Sequence, residues 1–390
     1  MLSGRASARM GPEGGTPTMP LPRTRLITLL VIGLFGLGTG VLGTGVRNAD
    51  VARADYRPLR TSRALAQLVS RGRAPGAALL AETASGTASG NASGGGGRFE
   101  AAGTGMRRAD HFRAGSITKT LVATVVLQLS AEGELHLADS VDQYLPGLVR
   151  GHGNDGRRLT LRSLLTHTSG LHDYTSDTSA PVPTTPEAAL RTALVHRPGP
   201  RGVYAYSNTD YIVLGMVVER VTGRTYAAEA ERRVIGPLGL TGTSFPGGST
   251  ALPVPHGRAY TRTSGPAGPP RDVTRLDPRT AGAAGELIST LDDLNRFFGA
   301  LLDGELLAPP ELRELLDTGA THGAYGLGIF PQRLSCGLTV WGHNGRIAGS
   351  YVRTAATRDG RHTLTFRVDT DTLADDAPET RLLEAEFCRS

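Results

Sequence analysis

Lys119 is the only lysine in the 390 residues, and it stands three places after Ser116 at the head of the apolar run Ser116-Ile117-Thr118-Lys119-Thr120-Leu121-Val122. Nearly every other basic residue is Arg, whose guanidinium stays protonated at any working pH. A desolvated amine can instead lose its proton and act as a base. On a helix, residues i and i+3 share a face, so the amine at 119 reaches the hydroxyl at 116. A Ser at a helix N-terminus also meets backbone N–H groups and the positive dipole end, which favour developing negative charge. Ser-x-x-Lys is therefore a candidate nucleophile with its own activator. The competing reading is a capping Ser followed by a snorkelling surface Lys.

Two further groupings extend the first. Tyr204-Ala205-Tyr206-Ser207-Asn208 precedes an apolar helix through Tyr211, Leu214, Val217 and Val218, and Trp341-Gly342-His343-Asn344-Gly345-Arg346 ends a strand. A Ser nucleophile needs a proton acceptor, a donor for the leaving group and N–H groups for an oxyanion. Tyr206 beside an ammonium is expected to have its pKa lowered and to serve as the acceptor. Asn208 is expected to hold a substrate amide, and Gly345 to let a substrate backbone approach the strand. Each grouping alone is a weak signal with an ordinary structural reading. Their order and spacing after Ser-x-x-Lys make them specific.

With these residues in view, the chain resembles the serine D-alanyl-D-alanine carboxypeptidases of the Streptomyces type, in the class C β-lactamase-like superfamily, where Ser-x-x-Lys with companion motifs is known. The resemblance runs from about Leu59 to Cys388. It includes Phe112 to Ser116, Leu164-Leu165-Thr166-His167-Thr168-Ser169-Gly170-Leu171, Ala281-Gly282-Ala283-Ala284-Gly285-Glu286, Leu334-Ser335-Cys336-Gly337 and Phe387-Cys388. It implies that Ser116 is acylated, that Lys119 and Tyr206 share the proton transfers, and that Asn208 orients the substrate. His343, Asn344, Gly345 and Arg346 form the third, substrate-binding motif, with the N–H groups of Ser116 and Arg346 as the oxyanion hole. Relatives of this type carry an Arg cluster where this chain has Phe330-Pro331-Gln332-Arg333, a Trp where it has Thr280, and an aromatic residue near Thr178-Ser179-Ala180. The Arg346 side chain is then the cation expected to hold a substrate carboxylate.

These groups need a rigid frame. An amphipathic helix is expected over Leu59 to Val69, a strand over Gly76 to Ala81, a low-complexity loop over Ser85 to Gly97 and a second strand near Phe99. The middle of the chain is mostly helical between loops rich in Pro and Gly, notably Pro181 to Pro186 and Ser264 to Pro270. Strands return at Leu338 to Trp341, Ser350 to Ala356 and His362 to Val368, the last two joined by a turn at Arg358-Asp359-Gly360, and a helix closes the chain from Pro378 to Phe387. The expected fold class is α/β of the α+β kind. An antiparallel sheet from both termini, residues 55–115 and 322–390, is flanked by helices and carries an inserted, mostly helical domain, residues 116–321. The resemblance makes these parts one catalytic unit.

Residues 1–54 hold six Arg against Glu13 and Asp50. Without them, the 42 basic and 36 acidic residues of the chain become 36 and 34, so the rest is nearly neutral and a nucleic-acid partner is not expected. Arg23 and Arg25 precede an uncharged stretch from Leu26 to Val46, and Ala52-Arg53-Ala54 offers a small-x-small cleavage site. Export with a signal peptide is expected, and an uncleaved membrane anchor is the alternative. Cys336 and Cys388 are then expected to pair as a disulfide between the last helix and the sheet, two buried thiols being the alternative. The ten His show no ligand spacing, so no metal or other cofactor is expected. His167 and Trp341 read as packing residues, and no Gly-x-Ser-x-Gly or Walker loop is present.

The sequence thus points to an extracytoplasmic, monomeric serine hydrolase that forms an acyl-enzyme, cleaves terminal D-alanine from peptidoglycan stem peptides and binds penicillin and other β-lactams. Its only expected contact with a membrane is through the N-terminal segment. An esterase or a class C-like β-lactamase on the same scaffold is the alternative among enzymes. A non-catalytic penicillin-binding or sensor module is the alternative of another kind.

Overall fold

The computed structural model describes residues 56–84, 97–177, 182–262, 268–375 and 377–388. The leader expected at 1–54, nearly all of the loop expected at Ser85 to Gly97, and Thr178-Ser179-Ala180 lie outside the described residues. The principal elements are α1 (Tyr56–Ser70), β1 (Gly76–Thr83), β2 (Arg98–Gly103), α2 (Ile117–Ala131), α3 (Asn208–Thr222), α4 (Leu291–Asp303), β3 (Phe330–Arg333), β4 (Thr339–Ile347), β5 (Ser350–Ala356), β6 (His362–Val368) and α5 (Ala377–Phe387).

The six strands form one sheet in the order β2-β1-β6-β5-β4-β3, every neighbouring pair antiparallel. The expected sheet from both termini is present, with β1 pairing on β6 from Ala77↔Val368 to Thr83↔His362. Strand β5 and most of β6 are buried on both faces, yet β6 still alternates, with Leu364, Phe366 and Val368 on one face and Thr363, Thr365 and Arg367 on the other. One face packs under α1 and α5, where Leu65, Leu68, Leu382, Leu383 and Phe387 meet Leu79, Val340, Tyr351, Ala355 and Phe366. The other face meets the helical part through Ala78, Leu80, Val352 and Ala356, joined by Leu121, Val125, Leu214 and Phe298. Helix α4 packs on β1, β5 and β6.

Helix α2 is buried at 12 of its 15 positions, which explains why its sequence carries no polar face. It ends at Gly133, which takes a left-handed conformation with φ +77°. Among the described residues no helix is long and apolar enough to cross a membrane.

The strand expected at Leu338 to Trp341 is longer than its apolar residues suggest, because β4 continues to Ile347 through the His-Asn-Gly motif. That motif therefore sits inside a strand, not at its end, and obeys the alternation of a strand. The edge strand β3, which holds Pro331 and has no alternation, gave no sequence signal.

Candidate active site

Ser116 stands at the N-cap of α2, in a turn fixed from three sides. Phe112–Arg113 pairs with Ile288–Ser289, the Ala114 N–H donates to Leu287 O at 2.7 Å, and Ser350 Oγ donates to Arg113 O at 2.8 Å. One turn into the helix, Lys119 is fully buried. Its Nζ donates to Asn208 Oδ1 and to the Ala284 carbonyl, both at 2.7 Å, and lies 3.2 Å from Ser116 Oγ. Asn208 Oδ1 and Ala284 O can only accept, so two amine hydrogens are committed to them and the third direction faces the Ser116 hydroxyl. Burial pulls the Lys119 amine down to about 7, against the opposing charges of Asp173 and Asp210. At neutral pH a large share of the amine is therefore a free base aimed at Ser116 Oγ. The Ala281–Gly285 stretch, noted above only as part of a resemblance, supplies one of the two acceptors.

Tyr206 lies beside this pair, its ring centroid 4.9 Å from Lys119 Nζ and 4.3 Å from the ring centroid of His167. It keeps 37% of its surface exposed. Nevertheless the protein packed around the phenol pushes its pKa above the usual tyrosine range, while the Ser116 side chain pulls the other way. The expectation of a phenol acidified by the ammonium is thus corrected. Desolvation sets the direction, and the Tyr206 phenol stays protonated at neutral pH.

His167 is fully buried, as expected of a packing residue, and takes a left-handed backbone at φ +56°. Its Nδ1 lies 3.0 Å from Asp210 Oδ2 and receives the Ser207 N–H at 3.3 Å. Asp210, which burial pushes well above the usual carboxylate range, also accepts from Ser169 Oγ. This buried pair braces the segment that carries Tyr206 and Asn208.

The third motif is divided by the strand. Trp341, His343 and Gly345 face the helical side, opposite Ala356, Thr354 and Val352. Gly345 is where the backbones meet: a Cβ there would stand 1.8 Å from Ala114 O and 3.2 Å from Ser116 N. A Cβ on Gly115, at φ +52°, would stand 2.8 Å from Arg346 N. The room at Gly345 is therefore taken by the protein's own nucleophile turn, not by a substrate backbone. The same approach brings the amides of Ser116 and Arg346 together.

Three expectations about this motif need correcting. His343 is buried, and its Nδ1 donates to Asn344 O while its Nε2 accepts from the Tyr325 hydroxyl at 2.7 Å. Burial holds its pKa at about 3, so it stays neutral with both nitrogens engaged within the protein and supports Tyr325. Asn344 and Arg346 face the other side of the sheet. Asn344 Nδ2 lies 3.5 Å from Tyr351 Oη, and the Arg346 guanidinium sits 5.3 Å from the Tyr351 ring centroid, while Tyr351 belongs to the core under α1 and α5. Successive side chains alternate across a sheet, so it is the main chain of Arg346, not its side chain, that lies beside the Ser116 turn.

One site residue had no sequence signal. Asp173 accepts from Asn208 Nδ2 at 3.0 Å and caps a short 3-10 turn by accepting from the Thr175 N–H at 3.0 Å. Among the described residues no group of His, Cys, Asp and Glu is arranged to hold a metal ion.

Residues 61–386 match the beta-lactamase family. The chain belongs to that family. Within the beta-lactamase family it is similar to a D-stereospecific amidohydrolase from Streptomyces sp., with 40% identity, a TM-score of 0.77, and 85% of this chain and 99% of that one covered. It is also similar in fold to the D-amino acid amidase of Ochrobactrum anthropi SV3, at 24% identity and a TM-score of 0.71, covering 84% and 98% of the two chains. Among curated proteins it is 32% identical to penicillin-binding protein 4 of Amycolatopsis lactamdurans over 60% of this chain and 61% of that one. The chain spans 53% and 61% of the length of the first two curated relatives it matches. The mixed α/β architecture is thus that of a beta-lactamase-like serine hydrolase.

Proposed function

We propose that this protein is a D-stereospecific amidohydrolase that works through an acyl-enzyme on Ser116. The observation that carries the chemistry is the Lys119 amine, held by two pure acceptors and facing Ser116 Oγ. The choice of amide is supported by 40% identity across nearly the whole of the Streptomyces amidohydrolase.

Neutral Lys119 takes the Ser116 proton as Oγ attacks the substrate carbonyl carbon, and the N–H groups of Ser116 and Arg346 receive the developing oxyanion. When the C–N bond breaks, the proton passes from Lys119 through the Tyr206 hydroxyl to the leaving nitrogen. Water then attacks the ester carbonyl, giving its proton to Lys119 by the same route in reverse, and returns Ser116 Oγ–H and the free acid. Tyr206, being protonated, donates to the leaving nitrogen and is refilled by the Lys119 ammonium.

The D-alanyl-D-alanine carboxypeptidase expected from the sequence is the second reading, supported by the match to penicillin-binding protein 4. It requires a cation for the terminal carboxylate, and the Arg346 side chain lies on the other face of the sheet. An esterase uses the same reacting groups. Export of the enzyme belongs to this proposal as well, resting on the leader sequence.

Ammonia release from D- and L-phenylalaninamide, with intact-mass detection of the acyl adduct, tests the proposal. Faster release from the D-amide is expected, with an adduct that Ser116→Ala loses while keeping its circular dichroism. Cleavage of a diacyl-Lys-D-Ala-D-Ala peptide without cleavage of either amide favours the second reading. An adduct that persists in folded Ser116→Ala overturns both.

A further inference from the structure

The charge that faces the reacting groups is negative. Asp173 is half-buried in the loop between Leu171 and Asp177, held at one side by the Tyr174 N–H to Thr209 Oγ1 at 3.1 Å and at the other by Tyr174 Oη to Thr280 O at 2.5 Å. Its Oδ1 accepts from the Thr175 N–H and hydroxyl at 3.0 and 2.9 Å and from Asn208 Nδ2 at 3.3 Å, whereas among the described residues its Oδ2 accepts only from Asn208 Nδ2, at 3.0 Å. Ser116, Lys119, Asn208 and Asp173 therefore form one hydrogen-bonded row. Among the described residues Asp173 makes no ion pair, whereas Arg residues pair with acidic side chains such as Asp110, Asp292, Asp155, Glu229 and Asp277. Lys119, the neighbouring base, gives up its charge in the working state, so the carboxylate is left without a counter-ion there.

Resting on the amidohydrolase reading, we propose that Asp173 Oδ2 receives the protonated α-amine of the acyl-donor residue, so that the enzyme takes D-amino acid amides and peptides with a free amino terminus in preference to N-acylated ones. The amine of such a donor is attached to the carbon next to the carbonyl that Ser116 attacks. With the carbonyl oxygen at the two backbone N–H groups, the amine falls on the flank lined by Asn208 and Asp173. A charge-assisted contact there is about twice as strong as a neutral one. It also supplies a second fixed point beside the carbonyl, and the exposed ring of Tyr204, stacked 5.8 Å from Tyr325, offers a third for the donor's side chain. Three fixed points are the minimum for telling one enantiomer from the other.

The test is the ratio of kcat/KM for D-phenylalaninamide to that for N-acetyl-D-phenylalaninamide. In the wild type the ratio is expected to be on the order of ten or more, the size of one charge-assisted contact. It should fall as pH rises through the substrate amine's own pKa of about 8, while the enzyme's own titration cancels. In Asp173→Asn both rates drop if Asn208 is held less firmly, but the ratio collapses towards one and no longer depends on pH. An unchanged ratio in Asp173→Asn leaves Asp173 as a positioning residue for Asn208 and overturns the proposal. A pH-independent wild-type ratio overturns it without any variant. If neither amide is cleaved, the same ratio is read on the matching p-nitrophenyl esters by Ser116 acylation. Failure of the amide reading is then separate from failure of amine recognition.

Discussion

Lys119 is the proposed base because of where it is buried, and the sign of its pH effect follows. Its pKa is lowered to about 7, so below that value the amine is charged and cannot take the Ser116 proton, and above it the free base accumulates. Acylation is expected to rise with pH through about 7 and then level off. Tyr206, pushed upward by its surroundings, stays protonated and adds no falling limb below about pH 10. Single-turnover acylation across this range decides it, and a rate that does not change through pH 7 removes Lys119 as the base. Lys119→Arg is expected to lower acylation by about two to four orders of magnitude, since a permanent cation fills the site without accepting a proton. At this scale the sequence was informative wherever the chemistry is local. Ser116 and Lys119 are one helical turn apart, and Tyr206 and Asn208 flank the start of one helix, so spacing placed the members of each pair and the resemblance joined the pairs. Asp173 and the Ala284 carbonyl reach the site from loops, and no spacing relates a loop residue to a helix across the fold. The Tyr206 pKa departs from the sequence expectation because the sequence shows a nearby charge but not the desolvation that sets the direction.

At the scale of the element, β4 shows what a resemblance obscures and alternation reveals. Once His343 and Gly345 face the nucleophile, Asn344 and Arg346 face α5, a consequence of the strand's period of two. Reading the motif as the end of a strand hid that parity. Gly345→Ala is expected to destabilise the protein by about 1–3 kcal/mol and to abolish acylation. Its Cβ would stand 1.8 Å from Ala114 O and force the strand away from Ser116. Thermal melting together with acyl-adduct mass checks both effects, and a stable, active Gly345→Ala would mean that β4 and the nucleophile turn are not in contact. Arg346→Ala is expected to behave differently. It keeps the N–H and removes a guanidinium stacked on Tyr351. Turnover of acidic and neutral substrates should therefore change by the same factor, whereas a loss confined to acidic substrates would restore Arg346 to carboxylate recognition.

Across the whole molecule, the proposed oxyanion hole is shared by two parts of the chain far apart in sequence: Ser116 at the head of α2, and Arg346 on the second strand from the sheet edge. Their separation is set by how firmly β3 and β4 are held. The edge strand β3 is short, contains Pro331 and pairs only with β4, so the sheet ladder holds it weakly. The disulfide supplies a further tie. Cys336, in the turn between β3 and β4, is bonded to Cys388 at the end of α5 with their Cα atoms 5.8 Å apart, closing a loop across 52 positions of sequence. Helix α5 packs on α1 and lines the core against Val340 and Tyr351, so the bond fastens the β3–β4 turn to a helix pair drawn from both termini. A link across a loop of this length stabilises by about 2–4 kcal/mol, chiefly by restricting the unfolded chain. Cys336→Ser with Cys388→Ser is expected to lower stability by that amount in denaturant titration. Because β4 also pairs with β5 along its length, the folded variant should still acylate at Ser116, with faster hydrogen exchange concentrated in β3 and its turn. Exchange that quickens equally throughout the sheet would show that the disulfide acts on the whole fold and not on the edge that carries the oxyanion hole.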